Sequence, residues 1–154
     1  RAGAMKEFKG MAAVQRRNVD FLIAWGNELK ILQRSSEGAD LLAAALDESW
    51  QSELFAQWLD LVILAPANHI ERALGWAKTR PQDARIQEAL GLFASRSEQW
   101  QDAKTYFEAA LKELPEKDLA KARLYRQLGL AWQALGDDHR AMQYFVQAQA
   151  LATH

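Results

Sequence analysis

The sequence predicts an all-α fold, a right-handed helical solenoid of stacked antiparallel helix pairs. Three observations predict it. Strong helix formers (Ala, Leu, Gln, Glu, Lys and Arg) dominate the chain, while glycine and proline are sparse at eight and three copies. Apolar residues fall three and four apart almost throughout, as one buried helical face requires. Finally, LGLFASRSEQWQDAKTYFEAA, from Leu90 to Ala110, returns 38 residues later as LGLAWQALGDDHRAMQYFVQA, from Leu128 to Ala148. Self-similarity at a fixed period of this length marks an array of supersecondary units.

The recurrence sets the unit. Leu90-Gly91 is followed by Ala103, Phe107 and Ala110, and Leu128-Gly129 by Ala141, Phe145 and Ala148, at offsets of 13, 17 and 20 from each leucine. Each copy reads as two antiparallel helices joined at Ser97-Glu98-Gln99 or Gly136-Asp137-Asp138. The glycine and the small alanine let the two backbones approach, and the phenylalanine fills the space between layers. Pro115 cannot continue the helix it follows and closes its unit. Trp25-Gly26, followed by Gly38, Leu42 and Ala45, keeps the same three offsets.

The expected organisation is therefore one continuous solenoid. Residues 1–18 form the second helix of a preceding, truncated repeat, and 19–52 a degenerate repeat. An irregular helix pair follows over 53–83, with helices at Glu53–Leu64 and His69–Arg80 and Pro81 closing it. Full repeats occupy 84–121 and 122–154.

These spacings, together with Tyr125, Trp132, Gly136 and Trp100, resemble the tetratricopeptide repeat, whose unit is about 34 residues. Departures are Gln87 and Ala94 where aromatics are common, and Glu98 for the turn glycine. The surplus in the period lies in PEKDLAKA. The order of features also resembles the carboxy-terminal half of the bacterial HemY proteins. The positions that carry this are Trp50, Leu54, Ala73, Trp76, Pro81, Asp83, Leu90, Gly91, Trp100, Ala103, Phe107, Ala110 and Leu111. The resemblance implies a non-enzymatic repeat region on the cytoplasmic side of an inner-membrane protein associated with haem and porphyrin metabolism. Similar repeats occur in lipopolysaccharide-assembly regulators, so a repeat adaptor of that kind is an alternative, as is a tetrapyrrole carrier.

Composition removes several classes of function. The formal net charge of −1 argues against nucleic acid as partner. Without cysteine there is neither a disulfide framework nor a thiolate metal site. The longest apolar run, Leu61–Ala67, is far short of the about 20 residues of a membrane span. The chain opens at Arg1 without a methionine or a signal-type segment. It is expected to be a piece of a longer protein, reaching a membrane only through segments outside it.

No nucleophile constellation, phosphate loop or metal-ligand spacing stands out. His69, His139 and His154 lie in separate units and read as surface residues, so no cofactor and no metal is expected. The six tryptophans read as inter-helix packing rather than as a porphyrin box.

Function is expected on the concave face, lined in such arrays by the first helix of each pair. Residues there that packing does not claim are Asn27, Lys30, Arg85, Glu88, Arg96, Arg123, Arg126 and Gln133, with Leu92, Ser95 and Leu130 among them. Four arginines and one lysine against one glutamate give a locally basic face suited to an acidic protein or peptide. Arg123 and Arg126, three apart, are expected to grip one anion together.

Overall fold

In a computed structural model, which describes residues 3–153, every regular element is helical. The chain divides into two compact units, 1–66 and 67–154. The first holds α1 (Gly3–Gly10), α2 (Ala13–Arg16), α3 (Val19–Ile31), α4 (Ser35–Glu48) and α5 (Ser52–Val62). The second holds α6 (Ile70–Thr79), α7 (Ala84–Arg96), α8 (Trp100–Lys112), α9 (Ala120–Ala134) and α10 (Asp138–Ala152). A short 3₁₀ turn, Pro66–Asn68, carries the chain from one to the other.

The turns inside the pairs α3–α4, α7–α8 and α9–α10 are the same structure three times. The N–H groups of Arg34, Gln99 and Asp137 donate to the carbonyls of Leu29, Ala94 and Trp132, at 2.6, 2.9 and 2.9 Å. One residue earlier, Gln33, Glu98 and Gly136 donate to Lys30, Ser95 and Gln133, each at 3.0 Å. This is the Schellman motif, which satisfies the orphan carbonyls of a helix end through one left-handed residue. That residue has φ of 59° at Gln33, 57° at Glu98 and 89° at Gly136. Only the last is a glycine, so two copies hold a side chain in a conformation that costs L-residues about 1–2 kcal/mol. The residue that completes each turn also begins the next helix. Asp137 does so most fully, its carboxylate accepting from Arg140 N–H at 2.9 Å.

Close approach within each pair follows from the glycines. A Cβ built on Gly91 would lie 2.5 Å from Phe107 Cε1, and one on Gly129 would likewise run into the ring of Phe145. In the first unit the counterpart of Phe107 is Leu42, smaller by a ring, and a Cβ on Gly26 would meet its Cδ1 at an ordinary 3.4 Å. The glycine thus faces the residue sixteen positions on in all three pairs, including the degenerate one.

The two cores are dense. In the first unit Leu22, Leu41, Leu42, Leu54, Phe55 and Trp58 are at most 1% exposed. In the second, Ala94, Ala103, Phe107, Ala110, Leu124 and Leu128 form one cluster through which α7, α8 and α9 meet. Each buried Leu or Phe of this kind contributes about 1.5–3 kcal/mol. The tryptophans divide: Trp58 and Trp76 are buried, and the rest only partly so. Trp132 carries Lys104 Nζ and Arg140 Cζ, each 4.6 Å from its ring centroid.

Helix α1 docks on α4 through Ala4 and Phe8, both 2% exposed, and through Glu37. The Glu37 carboxylate accepts a forked pair of hydrogen bonds from Arg34 and a third from the Ala4 backbone N–H. Held by these donors and by the nearby positive charge, it is lowered to about 2 despite its burial. No helix among the described residues is long and apolar enough to cross a membrane.

Candidate functional site

The residues expected on one basic face fall into two groups, one in each unit. In the first unit Asn27 and Lys30 lie on α3 and look toward α5. Gln57 Nε2 donates to Asn27 Oδ1 at 2.5 Å, and Lys30 Nζ to Asp60 Oδ2 at 2.7 Å. The two rungs share a spacing of 30 residues, so α3 and α5 run side by side in constant register. Lys30 is therefore not an unclaimed cation. Its ammonium is matched by Asp60 across a pair whose side chains are about half exposed, a setting in which ion pairs contribute at most about 1 kcal/mol.

In the second unit the same kind of rung joins α7 to α9 and is far less exposed. Arg123 donates through Nε to Glu88 Oε2 at 2.5 Å and through a terminal nitrogen to Oε1 at 2.9 Å. The Glu88 side chain is 12% exposed and that of Arg123 53%. A fork-to-fork pair of this geometry fixes the lateral register of the two helices. The hydrogen bonds to Glu88 raise the Arg123 pKa further, against the opposing effect of desolvation. Two expectations need correction here. Glu88 is buried rather than part of a solvated face, and Arg123 does not stand with Arg126 to grip an anion, because its guanidinium is already occupied.

What remains open in this unit is a smaller set. Arg85 on α7, Arg96 at its last turn, and Arg126 and Gln133 on α9 are exposed. None of the four makes a side-chain hydrogen bond or ion pair among the described residues. Leu92 packs against the core cluster, Ser95 is half-buried and Leu130 is 47% exposed. The side chains on these two helices thus alternate between ties to the neighbouring helix and arginines that meet only solvent.

Asp60 and Gln57 carry no repeat signal, because the register of the repeats is lost through 53–83. The signal for Glu88 and Arg123 was present. Arg126 lies one period beyond Glu88, and Arg123 lies one helical turn before it. That is where the neighbouring first helix brings its side chains level.

Of the histidines, His69 precedes α6 and is only 7% exposed, contrary to the expected surface position. His139 is exposed at the start of α10, and His154 lies outside the described residues. Among the described residues no three side chains of the metal-ligating types converge.

The sequence matches no protein-family profile and no curated protein. The structure does find counterparts among solved structures of MamA, a tetratricopeptide-like helical protein. One crystal structure of MamA superposes with a TM-score of 0.66 at 17% identity, covering 98% of this chain and 88% of that one. MamA from Desulfovibrio magneticus RS-1 gives 0.66 at 16% identity, covering 98% and 85%. An AMB-1 MamA gives 0.62 at 16%, covering 97% and 81%. Identity this low speaks for the fold alone. The fold is that of the tetratricopeptide-like helical solenoids.

Proposed function

We propose that the chain is a non-enzymatic scaffold that holds a partner protein on the first-helix face of its second unit, through an acidic or carboxylate-bearing segment. One observation carries this reading. Among the described residues Arg85, Arg96 and Arg126 are exposed without a side-chain partner, while the other cations of these faces, Lys30 and Arg123, are matched by Asp60 and Glu88. An arginine kept free beside one that is neutralised is available for a bidentate carboxylate contact. The fold supports the reading, since stacked helix pairs serve as extended binding surfaces.

We further infer that the chain is the repeat region of a HemY-like inner-membrane protein. The support is the run of matched positions from Trp50 to Leu111 and nothing beyond it.

The test of the scaffold reading is capture of partners from the cell that makes the protein, comparing wild type with Arg85→Glu, Arg126→Glu. Loss of specific partners in the variant, and weaker capture by the wild type as salt rises, is the expected result. Equal recovery at every salt concentration would remove the basic face from consideration. Deleting the gene and measuring accumulated porphyrins tests the HemY assignment separately; an unchanged profile speaks against it.

A further inference from the structure

A pocket of about 380 Å³ is lined by Glu108 and Leu111 of α8, Tyr125 and Trp132 of α9, and Arg140 and Tyr144 of α10. It has a counterpart one period earlier. Gln87 and Tyr106, 38 residues before Tyr125 and Tyr144, line an open pocket among α6, α7 and α8. That counterpart stays open although α9 and α10 follow it, and the pocket of α8–α10 stays open although α6 and α7 precede it. A helix pair stacked on either side therefore leaves such a pocket unfilled.

Two opposite charges line the pocket of α8–α10 and do not pair with each other. Glu108 is half-buried, and its carboxylate makes no hydrogen bond or ion pair among the described residues. The Arg140 side chain is exposed and makes none either; its guanidinium carbon stands 4.6 Å from the ring centroid of Trp132. An aromatic face holds a guanidinium in place without neutralising it and leaves its N–H donors free. Both charges act on the Tyr144 hydroxyl. Burial raises the pKa of that phenol, Glu108 raises it further, and Arg140 opposes the rise.

We propose that this pocket binds a small zwitterion with an apolar side chain, the chemistry shared by a free amino acid and a dipeptide. Its carboxylate takes the fork of Arg140 and its ammonium the carboxylate of Glu108, while its side chain packs on Leu111 and Tyr125. The volume falls within the about 300–1,000 Å³ of small-molecule sites. Two turns of a docked helix, about 10–12 Å across, would need about 1,000 Å³. A simple anion would face Glu108 and a simple cation Arg140, so only a ligand carrying both signs matches the pair. The counterpart pocket is less suited. Its charges, Glu71 and Lys78, lie on a single helix, Gln87 stands in place of Tyr125, and Gly75 presents no side chain. None of the first-helix arginines takes part, so this proposal and the scaffold reading can fail separately.

The test titrates the whole chain with L-leucine and with leucylleucine by calorimetry. Saturable binding of one or both is expected, and the tighter of the two identifies the source. Amidation of that ligand removes its carboxylate and deamination its ammonium. Each change should weaken binding at least about tenfold, since each forfeits a charge-assisted hydrogen bond. Neither glycine nor glycylglycine should compete, because both lack the apolar side chain. Glu108→Gln should weaken binding of the zwitterion but not of its deaminated form, and Arg140→Gln binding of the zwitterion but not of its amide. A variant that merely unfolds would lose both ligands alike, so the crossed pattern reads contact. Glu71→Gln and Lys78→Gln, in the counterpart pocket, should change nothing. The proposal fails if neither leucine nor leucylleucine saturates the protein at millimolar concentration, or if the charge-deleted analogues bind as well. Competition by glycine, or binding that depends on Glu71 and Lys78 in place of Glu108 and Arg140, would overturn it too.

Discussion

The ring of Phe107 sits against the bare α-carbon of Gly91, leaving no room for even a methyl group between α7 and α8. Gly91→Ala should therefore destabilise the second unit by about 1–3 kcal/mol, the usual cost of overpacking, and Gly129→Leu should disrupt the α9–α10 pair. Gly26→Ala should do the opposite. Leu42 leaves ordinary contact distance there, so the helix-propensity gain of up to about 1 kcal/mol remains. Urea titrations of the three variants against wild type check the set. A Gly91→Ala protein as stable as wild type would contradict the packing described.

The left-handed turn residues give a second prediction. Glu98→Gly and Gln33→Gly should each stabilise by about 0.5–1 kcal/mol. Relief of the left-handed strain exceeds the added entropy of the unfolded glycine. Gly136→Ala should destabilise by about 1 kcal/mol. Thermal melts of the single variants provide the measurement, and a destabilised Glu98→Gly would sink the explanation.

The Glu88–Arg123 pair is unequal in exposure, and its two halves should not be equally costly to lose. Arg123→Met leaves a largely buried carboxylate without its donors and should cost about 1–3 kcal/mol. Glu88→Gln keeps an acceptor and leaves the guanidinium half in water, so it should cost less. A double-mutant cycle should return a coupling of about 0.5–3 kcal/mol. Additive single effects would show that the pair does not lock α7 to α9.

Glu37 makes stability depend on pH. Its folded pKa of about 2 lies below the ordinary value of 4.5, so the folded state favours the carboxylate. The stabilisation is complete above pH 4.5 and is lost as pH falls from there toward 2. Glu37→Gln should lower the unfolding midpoint at neutral pH. The two proteins should converge as pH approaches 2. Parallel curves down to that pH would mean that Arg34 and the Ala4 N–H do not hold the charge.

Much of this architecture was legible in the residues. The recurrence of Leu90-Gly91 at Leu128-Gly129, with Ala103, Phe107, Ala141 and Phe145 in step, marked both helix crossings, but it set the alanine opposite the glycine and the ring between layers, whereas the ring itself sits on the glycine. The same offsets from Gly26 led to Leu42. Through 53–83 the pattern carries no such marker, and the α5 partners of Asn27 and Lys30 stayed invisible. The binding face was legible only in part. Counting charges placed Arg123 with Arg126, but which of them is neutralised depends on the lateral offset of neighbouring helices. That offset is a property of packing between units of the repeat, and it shows in the sequence only when the period and the helical turn are taken together, Arg123 lying three residues before the position one period beyond Glu88.

The three Schellman turns also govern where this chain can tolerate change in length. In each of them the residue that finishes one helix caps the next, so the reversal at Ser97–Gln99 or Leu135–Asp137 contains no slack. An inserted residue there would rotate the second helix about its axis by about 100° and turn Phe107 or Phe145 away from its glycine. The seven-residue stretch Glu113–Leu119 is different. It already holds the surplus of the 38-residue period, and Glu116 and Lys117 in it are exposed. Proteases, inserted domains and circularly permuted termini should find their opening at that joint, while the hairpin tips stay closed to all three.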